Sequence, residues 1–582
     1  MKSFFKLVLA NLTAIFIVIA GFFVFFIGFI ILASISESTD IKSNSVLTLD
    51  LKTRIIDSPS EDQEDFLSFN NNEQKSVLLY DVLQAIDKAK SDDKIKGISI
   101  EADNINAGIT QLDDIRNALI DFKKSGKFVY AYGNSVSQGA YYLGSVADKY
   151  YLNPAGGIEL KGLSTEVTFF KSFAEKYGIG IQVIRHGKFK AAVEPFLKDE
   201  ISPENQEQLS TLLNDIWNNT SSRISASRKI PTSELKTITD SLYSYIPNLS
   251  LKYKLVDQLI QKSEYDNIIR KKINIDNDKK INKISFAKYS ESIDSKKGDN
   301  KIAVLYASGS INNGKGYDGI YADNFRKEIK KLQEDDDVKA VVFRINSPGG
   351  SANASDEILF EMQQLKRKKP VVISFGDYAA SGGYYIAMGA DKIFSEPNTL
   401  TGSIGVFGVI PYFKDLAAKN GIRSDAVTTN ANSNMISAIN GLSPGTLTIM
   451  TRSVESTYQR FVHFVTQNRK KTFEQIDAVG GGRIWSGVRA KEIGLVDELG
   501  TLQDAINYAA KSANIKNYGV SAYPSKISKF EQIFSSETDE DFSTRVIKNK
   551  IGKDNFKIFQ QITDPNAKAE VKMETPFSIK LN

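Results

Sequence analysis

The chain has no cysteine and only two histidines, His186 and His463. Without cysteine there are no disulfides, thiolate zinc sites, iron–sulfur clusters or cysteine nucleophiles. Two isolated histidines do not make a His-rich metal site, and they leave a Ser-His-Asp triad only poorly placed candidates. A hydrolase of this composition takes its general base from another side chain. A concentrated charge of one sign is also missing, because 74 basic and 69 acidic residues (net +5) are interspersed along the chain. That is a solvated surface; a nucleic-acid partner would want clustered Lys and Arg, and none is expected. What is present is ordinary for a folded protein: 41% hydrophobic and 25% charged residues in a chain of 582, room for about three to four average domains.

Leu7 to Ala33 is a 27-residue stretch without a charge, preceded by Lys2 and Lys6. As a helix it spans about 40 Å, more than the ~30 Å hydrocarbon core of a bilayer. Residues 1–34 are therefore expected to be an uncleaved transmembrane anchor, held in lipid through residues 7–33. The flanking lysines predict a cytoplasmic N-terminus and an exported body. A cleaved signal peptide is the competing reading, but its apolar region normally runs only about 7–15 residues.

The body repeats itself at an offset of 243 residues. Tyr384 to Pro397 lies over Tyr141 to Pro154 with six of fourteen positions identical, and Asp335, Asp336 and Lys339 lie over Asp92, Asp93 and Lys96. Ile358 lies over Ile115, and at an offset near 240 Leu495-Val496-Asp497 lies over Leu255-Val256-Asp257. Chance matches scatter in offset, so the chain holds two copies of one domain. In the second copy the apolar runs 302–307, 340–345 and 371–375 suit strands buried on both faces. Helical periodicity separates them over 321–332 and 355–366. Strand–helix alternation implies an α/β fold with mostly parallel sheets. The expected division is a first repeat over 35–263, a polar linker or surface excursion over 264–300, a second repeat over 301–526, and a tail over 527–582 without a core role.

Duplicated domains share a scaffold, so chemistry is to be sought where they differ. Gly349-Gly350, in the run Asn346-Ser347-Pro348-Gly349-Gly350 after a strand, lets backbone N–H groups approach a ligand closely; alone it reads as an ordinary turn. The first copy has Asn106-Ala107 there. Ser381, in Ala380-Ser381-Gly382-Gly383-Tyr384, falls at a strand-to-helix turn that can present its Oγ beside free N–H groups. The plain alternative is an N-cap serine. The first copy has Gln138 instead. The first copy in turn sets Lys188 and Lys190 among small and apolar residues (187–196), whereas the second has no lysine between Lys419 and Lys470. Two surface lysines are the plain alternative.

The chemistry that needs both halves is a Ser–Lys dyad. A free lysine, with pKa about 10.4, is neutral in only about one molecule in 2,500 at pH 7. Burial disfavours the ammonium and can bring the pKa toward about 7–8. The neutral amine then takes the Ser381 proton as Oγ attacks a carbonyl, and N–H groups near Gly349, Gly350 and Gly382 hold the oxyanion. In an extended segment residues 188 and 190 point to the same side, so the pattern leaves both lysines open.

On the motifs SPGG (347–350), AASGGYY (379–385), LTGSIG (400–405) and GKFKAAVEPF (187–196), the chain resembles the long, tandem-domain form of the signal peptide peptidase A family, membrane-anchored serine proteases. The resemblance implies two Clp protease/crotonase-like domains behind one N-terminal transmembrane helix. It implies Ser381 as nucleophile, Lys190 as base, Ser403 orienting the lysine, and Gly350 and Gly382, with Gly349 close behind, as oxyanion donors. No cofactor or metal is implied. It further implies a homotetramer on the outer face of the inner (plasma) membrane that degrades signal peptides and other hydrophobic peptides. Such a peptide is expected to bind by strand addition to an exposed sheet edge. Two other classes compete: a non-catalytic scaffold that binds hydrophobic peptides, and a crotonase-type acyl-CoA enzyme suggested by fold analogy alone.

Overall fold

The computed structural model describes residues 41–50, 53–59, 75–293, 300–524 and 572–574, with isolated residues between 11 and 25. The expected anchor lies largely outside them. The described residues between 11 and 25 are helical, and no helix among the described residues is long and apolar enough to cross a membrane.

The duplication is visible as two sheets with one strand order. The first runs Gln258–Leu259, Lys149–Ile158, Phe128–Val136, Ile95–Glu101, Ser45–Asp50, Asn282–Ser285, all parallel. The second runs Glu498–Leu499, Lys392–Ser395, Val371–Ala380, Val338–Ser347, Lys301–Ser308, Gly519–Tyr523, again parallel. Leu400–Gly402 pairs with the far end of Val371–Ala380 and, antiparallel, with Ile484–Ser486. Register keeps the sequence offset: Ser135 faces Gly157 as Tyr378 faces Leu400.

The central strands are buried on both faces, as their continuous Val/Ile/Phe runs require. Ala303, Leu305, Val341, Phe343, Ile345 and Ile373 pack on one side of the second sheet with Ile329, Ile358 and Met362 from its helices. Ile302, Val304, Val342 and Val372 pack on the other with Leu502, Ile506 and Ala509. The first repeat has the equivalent core around Leu47, Ile98, Val129 and Ile115.

Two segments depart from the expected division. Within 264–300, read as a linker, Asn282–Ser285 is the edge strand of the first sheet and occupies the place that Gly519–Tyr523 takes in the second. Phe286 and Tyr289 follow it into the core. Its charged residues line the outer side of a closing strand and helix, which hid the membership. In the tail, Lys572–Glu574 is a strand whose Met573 is fully buried in the second repeat's core.

A third sheet joins the repeats. Its order is Ile320–Tyr321, Ile311–Asn312, Gly349–Ser351, Lys572–Glu574, Val406–Tyr412, Gly180–His186. Gly180–His186 comes from the first repeat and pairs antiparallel with Val406–Tyr412 of the second, His186 opposite Val406 and Gly180 opposite Tyr412.

Candidate active site

Ser381 follows directly on the buried strand Val371–Ala380 and precedes the helix Gly382–Ile386. Its backbone sits at φ 55° and ψ −116°, a conformation that typically costs a non-glycine residue about 1–3 kcal/mol. The Ser381 N–H donates to the Gly402 carbonyl at 2.8 Å, and its own carbonyl accepts from Tyr385 N at 2.8 Å, so hydrogen bonds on both sides hold the turn. The side chain makes no cap hydrogen bond. The hydroxyl of an ordinary N-cap is turned to its own helix; this one is turned away.

It is turned toward Lys190. The lysine Nζ lies 2.8 Å from Ser381 Oγ, 3.0 Å from Ser403 Oγ and 3.4 Å from the Ser403 carbonyl. The Lys190 side chain is 1% exposed, with its Nζ 5.8 Å from the centre of the Phe407 ring. Pairing of Gly180–His186 with the second repeat carries the lysine there, since it delivers the chain across the repeat boundary just before residue 187. Residues 187–190 then form a turn, and Phe189 N donates to Gly481 O at 3.0 Å. Because the segment turns, Lys188 and Lys190 do not share a side: Lys188 is exposed, its Nζ 5.2 Å from the Phe189 ring. After Lys190 the chain is pinned by Glu194, whose buried carboxylate accepts from Ser202 Oγ and from Asn205 Nδ2.

Ser403 is itself at φ 50°; its N–H donates to Arg483 O at 2.7 Å and its hydroxyl lies 3.4 Å from the Gly482 carbonyl. Gly480-Gly481-Gly482 is thus a support that sequence reasoning missed. Gly482 sits at φ 85°, and a Cβ there would come within 2.7 Å of both N and Cβ of Lys190. The run of three glycines was the available signal. It has no meaning until the lysine is known to pass over it.

Gly349 and Gly350 form the short strand beside Ser381. Gly349 is at φ 109°, and its N–H donates to Ser347 Oγ at 3.1 Å, which engages that amide. A Cβ on Gly382 would stand 3.2 Å from the Gly350 nitrogen, so these two backbone groups lie side by side next to Ser381. Behind them the repeats are locked by charge. Arg344, wholly buried, donates to Asp57 Oδ1 at 3.1 Å and to Phe375 O at 2.7 Å; Asn346 Nδ2 donates to Asp57 Oδ2 at 2.8 Å. Asp57 of the first repeat therefore holds the strand end that leads into Ser347-Pro348-Gly349-Gly350. Farther along this boundary, Asp377 accepts from Thr110 N and Oγ1, both at 2.9 Å. Burial pushes the Asp377 carboxyl up to about 6 and Asp114 up to about 7. The Asp114 oxygens are buried without a hydrogen-bond donor among the described residues, and burial also raises Glu396 well above the usual carboxylate range.

Both histidines lie elsewhere in the hydrogen-bond scheme: His186 Nδ1 is 2.7 Å from Glu455 Oε2 and its ring stacks on Tyr458, while His463 packs against Phe464. A buried amine within hydrogen-bond reach of a serine on a strained elbow, with backbone amides alongside, can carry acyl transfer through that hydroxyl. The fold is a duplicated, mostly parallel α/β scaffold, and the site has the geometry of a serine hydrolase.

Comparison with known proteins narrows the class. The profile of peptidase family S49 matches residues 121–276 and 363–516, and that of Clp protease matches residues 294–401. The chain belongs to peptidase family S49 and is a serine peptidase. It is similar to Protease 4 of Salmonella typhi, 34% identical over 552 residues that cover 92% of this chain and 88% of that one. It is also similar to Protease 4 of Haemophilus influenzae, 34% identical with 84% of each chain covered. The chloroplastic serine protease SPPA of Arabidopsis thaliana is 31% identical, with 82% of this chain and 70% of that one covered.

Proposed function

We propose that this chain is a membrane-anchored endopeptidase that cuts hydrophobic peptides, signal-peptide remnants among them, with Ser381 as nucleophile and Lys190 as general base. The observation that carries the reading is the 2.8 Å contact between a buried amine and the hydroxyl of a strained serine. The neutral Lys190 amine takes the Ser381 proton as Oγ bonds to the scissile carbonyl carbon. The carbonyl electron pair moves to oxygen, where the N–H groups of Gly350 and Gly382 stabilise it. Collapse breaks the C–N bond, and the Lys190 ammonium returns its proton to the leaving amine. Water then attacks the acyl-enzyme with the same amine as base, restoring Ser381. Ser403 keeps Nζ aimed through the first and last of these steps. Gly349, whose N–H is engaged by Ser347, shapes the loop.

The uncharged stretch 7–33 supports residence in the inner membrane, with the N-terminus cytoplasmic and the catalytic repeats on the extracytoplasmic side, where an apolar substrate shares the same surface. Assembly into a homotetramer draws support from residues 421–436. These are exposed throughout and display Ile422, Val427, Met435 and Ile436 to solvent.

The test is a serine-reactive phosphonate probe combined with hydrolysis of an apolar fluorogenic peptide. The expected result is covalent labelling at Ser381 and loss of both labelling and hydrolysis in Ser381→Ala and Lys190→Met, each with an unchanged melting temperature. Full activity in Ser381→Ala would overturn the reading.

A further inference from the structure

The glycine loop beneath Lys190 is tied to a helix that carries no residue of the site. Tyr458, 1% exposed on the helix Pro444–Arg469, sends its hydroxyl to that loop. The Gly481 N–H donates to the Tyr458 hydroxyl oxygen at 3.3 Å, and the hydroxyl in turn donates to Asp477 Oδ1. Burial and that carboxylate push the phenol well above its ordinary value, so the proton stays on the oxygen and both hydrogen bonds keep one direction. The approach is close: a Cβ on Gly480 would stand 3.0 Å from the same oxygen.

Gly481 is where the loop meets the lysine's own segment. Its carbonyl accepts from Phe189 N at 3.0 Å, and a Cβ on Gly187 would lie 2.3 Å from that carbonyl oxygen. Just beyond it, Gly482 N donates to Ile404 O and Arg483 O accepts from Ser403 N, both at 2.7 Å. The Tyr458 ring reaches the same segment from another side. It stacks on His186 with ring centroids 3.6 Å apart, and Glu455, one turn earlier on the helix, sets Oε2 2.7 Å from His186 Nδ1. His186 ends the strand that crosses from the first repeat, four residues before Lys190. Ring and hydroxyl of one residue therefore touch both supports of the base, the strand and the loop.

The duplication separates this arrangement from the scaffold. The helix Pro203–Arg228 of the first repeat also has 26 residues, a Ser-Pro start and a left-handed lysine at its end, so Ser202 lies under Ser443 and Lys229 under Lys470. At that offset Trp217 stands in the place of Tyr458 and packs against the first repeat's core. Lys236 stands in the place of Asp477, and Thr239-Asp240-Ser241 in that of the three glycines. An aromatic ring at this point meets the needs of packing in both copies. The hydroxyl, its acceptor and the glycines occur together, in the copy whose loop carries the lysine.

Resting on the peptidase reading above, we propose that Tyr458 is a positioning residue for the reaction: its hydroxyl, held by Asp477, fixes Gly481 and so sets where Lys190 Nζ stands relative to Ser381. Tyr458 touches neither Ser381 nor Lys190. It acts on the lysine through Gly481 and Phe189, and on the orienting serine through Gly482 and Arg483. Without the hydroxyl the Gly481 N–H loses its acceptor, and the loop moves to find another. A base displaced by a fraction of an ångström loses rate without any change in how substrate binds.

The experiment uses the full-length protein and Tyr458→Phe, which keeps the ring and its stack on His186 and leaves His186, Glu455 and Asp477 in place. For an apolar fluorogenic peptide, kcat is expected to fall about tenfold with KM unmoved. The acidic limb of the kcat–pH profile is expected to move to higher pH, because an amine shifted out of its buried seat holds its proton more tightly. Amide hydrogen exchange over residues 479–484 should accelerate at least about tenfold. Asp477→Ala should have the same effects, and the double variant Tyr458→Phe with Asp477→Ala no more than either alone, since the two act through one contact. Unaltered kcat and an unmoved limb in Tyr458→Phe, in a protein that Lys190→Met inactivates, would overturn the proposal and leave the peptidase reading standing. A loss equal at every pH together with a lowered melting temperature would also overturn it, since Tyr458 would then serve stability alone. Hydrolysis by Lys190→Met would overturn the peptidase reading itself.

Discussion

The two repeats place one strand-to-helix junction in two conditions. In the first, Ser137 begins the turn at φ −66° and ψ 158°, an ordinary cap, and its hydroxyl accepts from Ala140 N. Gln138 then lies at the position of Ser381 and closes the space. Its Oε1 accepts from the N–H groups of Lys161 and Gly162, and its Nε2 donates to Gly162 O at 3.0 Å. In the second, the turn passes through Ser381 itself in a strained conformation, and the hydroxyl is left for Lys190. Leu160 stands where the second repeat has Ser403, and Asn106-Ala107 where it has Gly349-Gly350. The scaffold tolerates both versions, so the sheet does not make the site. A relaxed junction filled by Gln138 in one copy, and a strained one whose buried hydroxyl meets Lys190 in the other, separate support from chemistry.

The sharpest way to break this comparison is to move the hydroxyl. Ser381→Ala combined with Gln138→Ser should show no hydrolysis, at least about 10³-fold below the unaltered protein, and no probe labelling, because the first junction is unstrained and no lysine amine among the described residues bonds to Gln138. Hydrolysis by this double variant would mean the repeats are chemically equivalent. Next in size is Gly482→Ala. Its Cβ forces the Lys190 backbone away, and a misplacement of about 1 Å costs about 10²-fold in kcat; steady-state kinetics on a short peptide would read it. Ser403→Ala removes one hydrogen bond to Nζ and is expected to lower kcat about tenfold with KM unmoved. A KM effect instead would make Ser403 a substrate contact.

The smallest effect concerns the boundary rather than either site. Asp114 and Asp377 bind a proton more tightly folded than unfolded, since burial raises them to about 7 and about 6. Their contribution to stability is therefore full below about pH 4 and is lost as pH rises through about 6–7. The melting temperature should fall across that window. Asp114→Asn should flatten the fall by a few degrees, at roughly 2–4 °C per kcal/mol. A slope unchanged in Asp114→Asn would place the proton uptake elsewhere.

Much of the scaffold was legible in the chain because it rests on local patterns. Runs of Val, Ile and Phe at 340–345 and 371–375 mark strands buried on both faces, and the repeat offset survives in the strand register. Asn282–Ser285 was not legible, since a short edge strand with charged neighbours carries the composition of a linker. Nor was the tail strand, whose three residues have no pattern apart from their partners.

By itself the sequence determined that two copies of one α/β domain divide a serine and a lysine between them, because residue types and spacing are written in the chain. The residue pattern left Lys188 and Lys190 both open and the family resemblance pointed to Lys190; only the tertiary structure brings Lys190 to the serine, seats it on Gly480-Gly481-Gly482 and places the tail strand beside Gly349. Those outcomes depend on contacts between segments far apart, 191 residues in the case of Lys190 and Ser381. They also depend on a turn at 187–190 that separates two lysines of identical local chemistry.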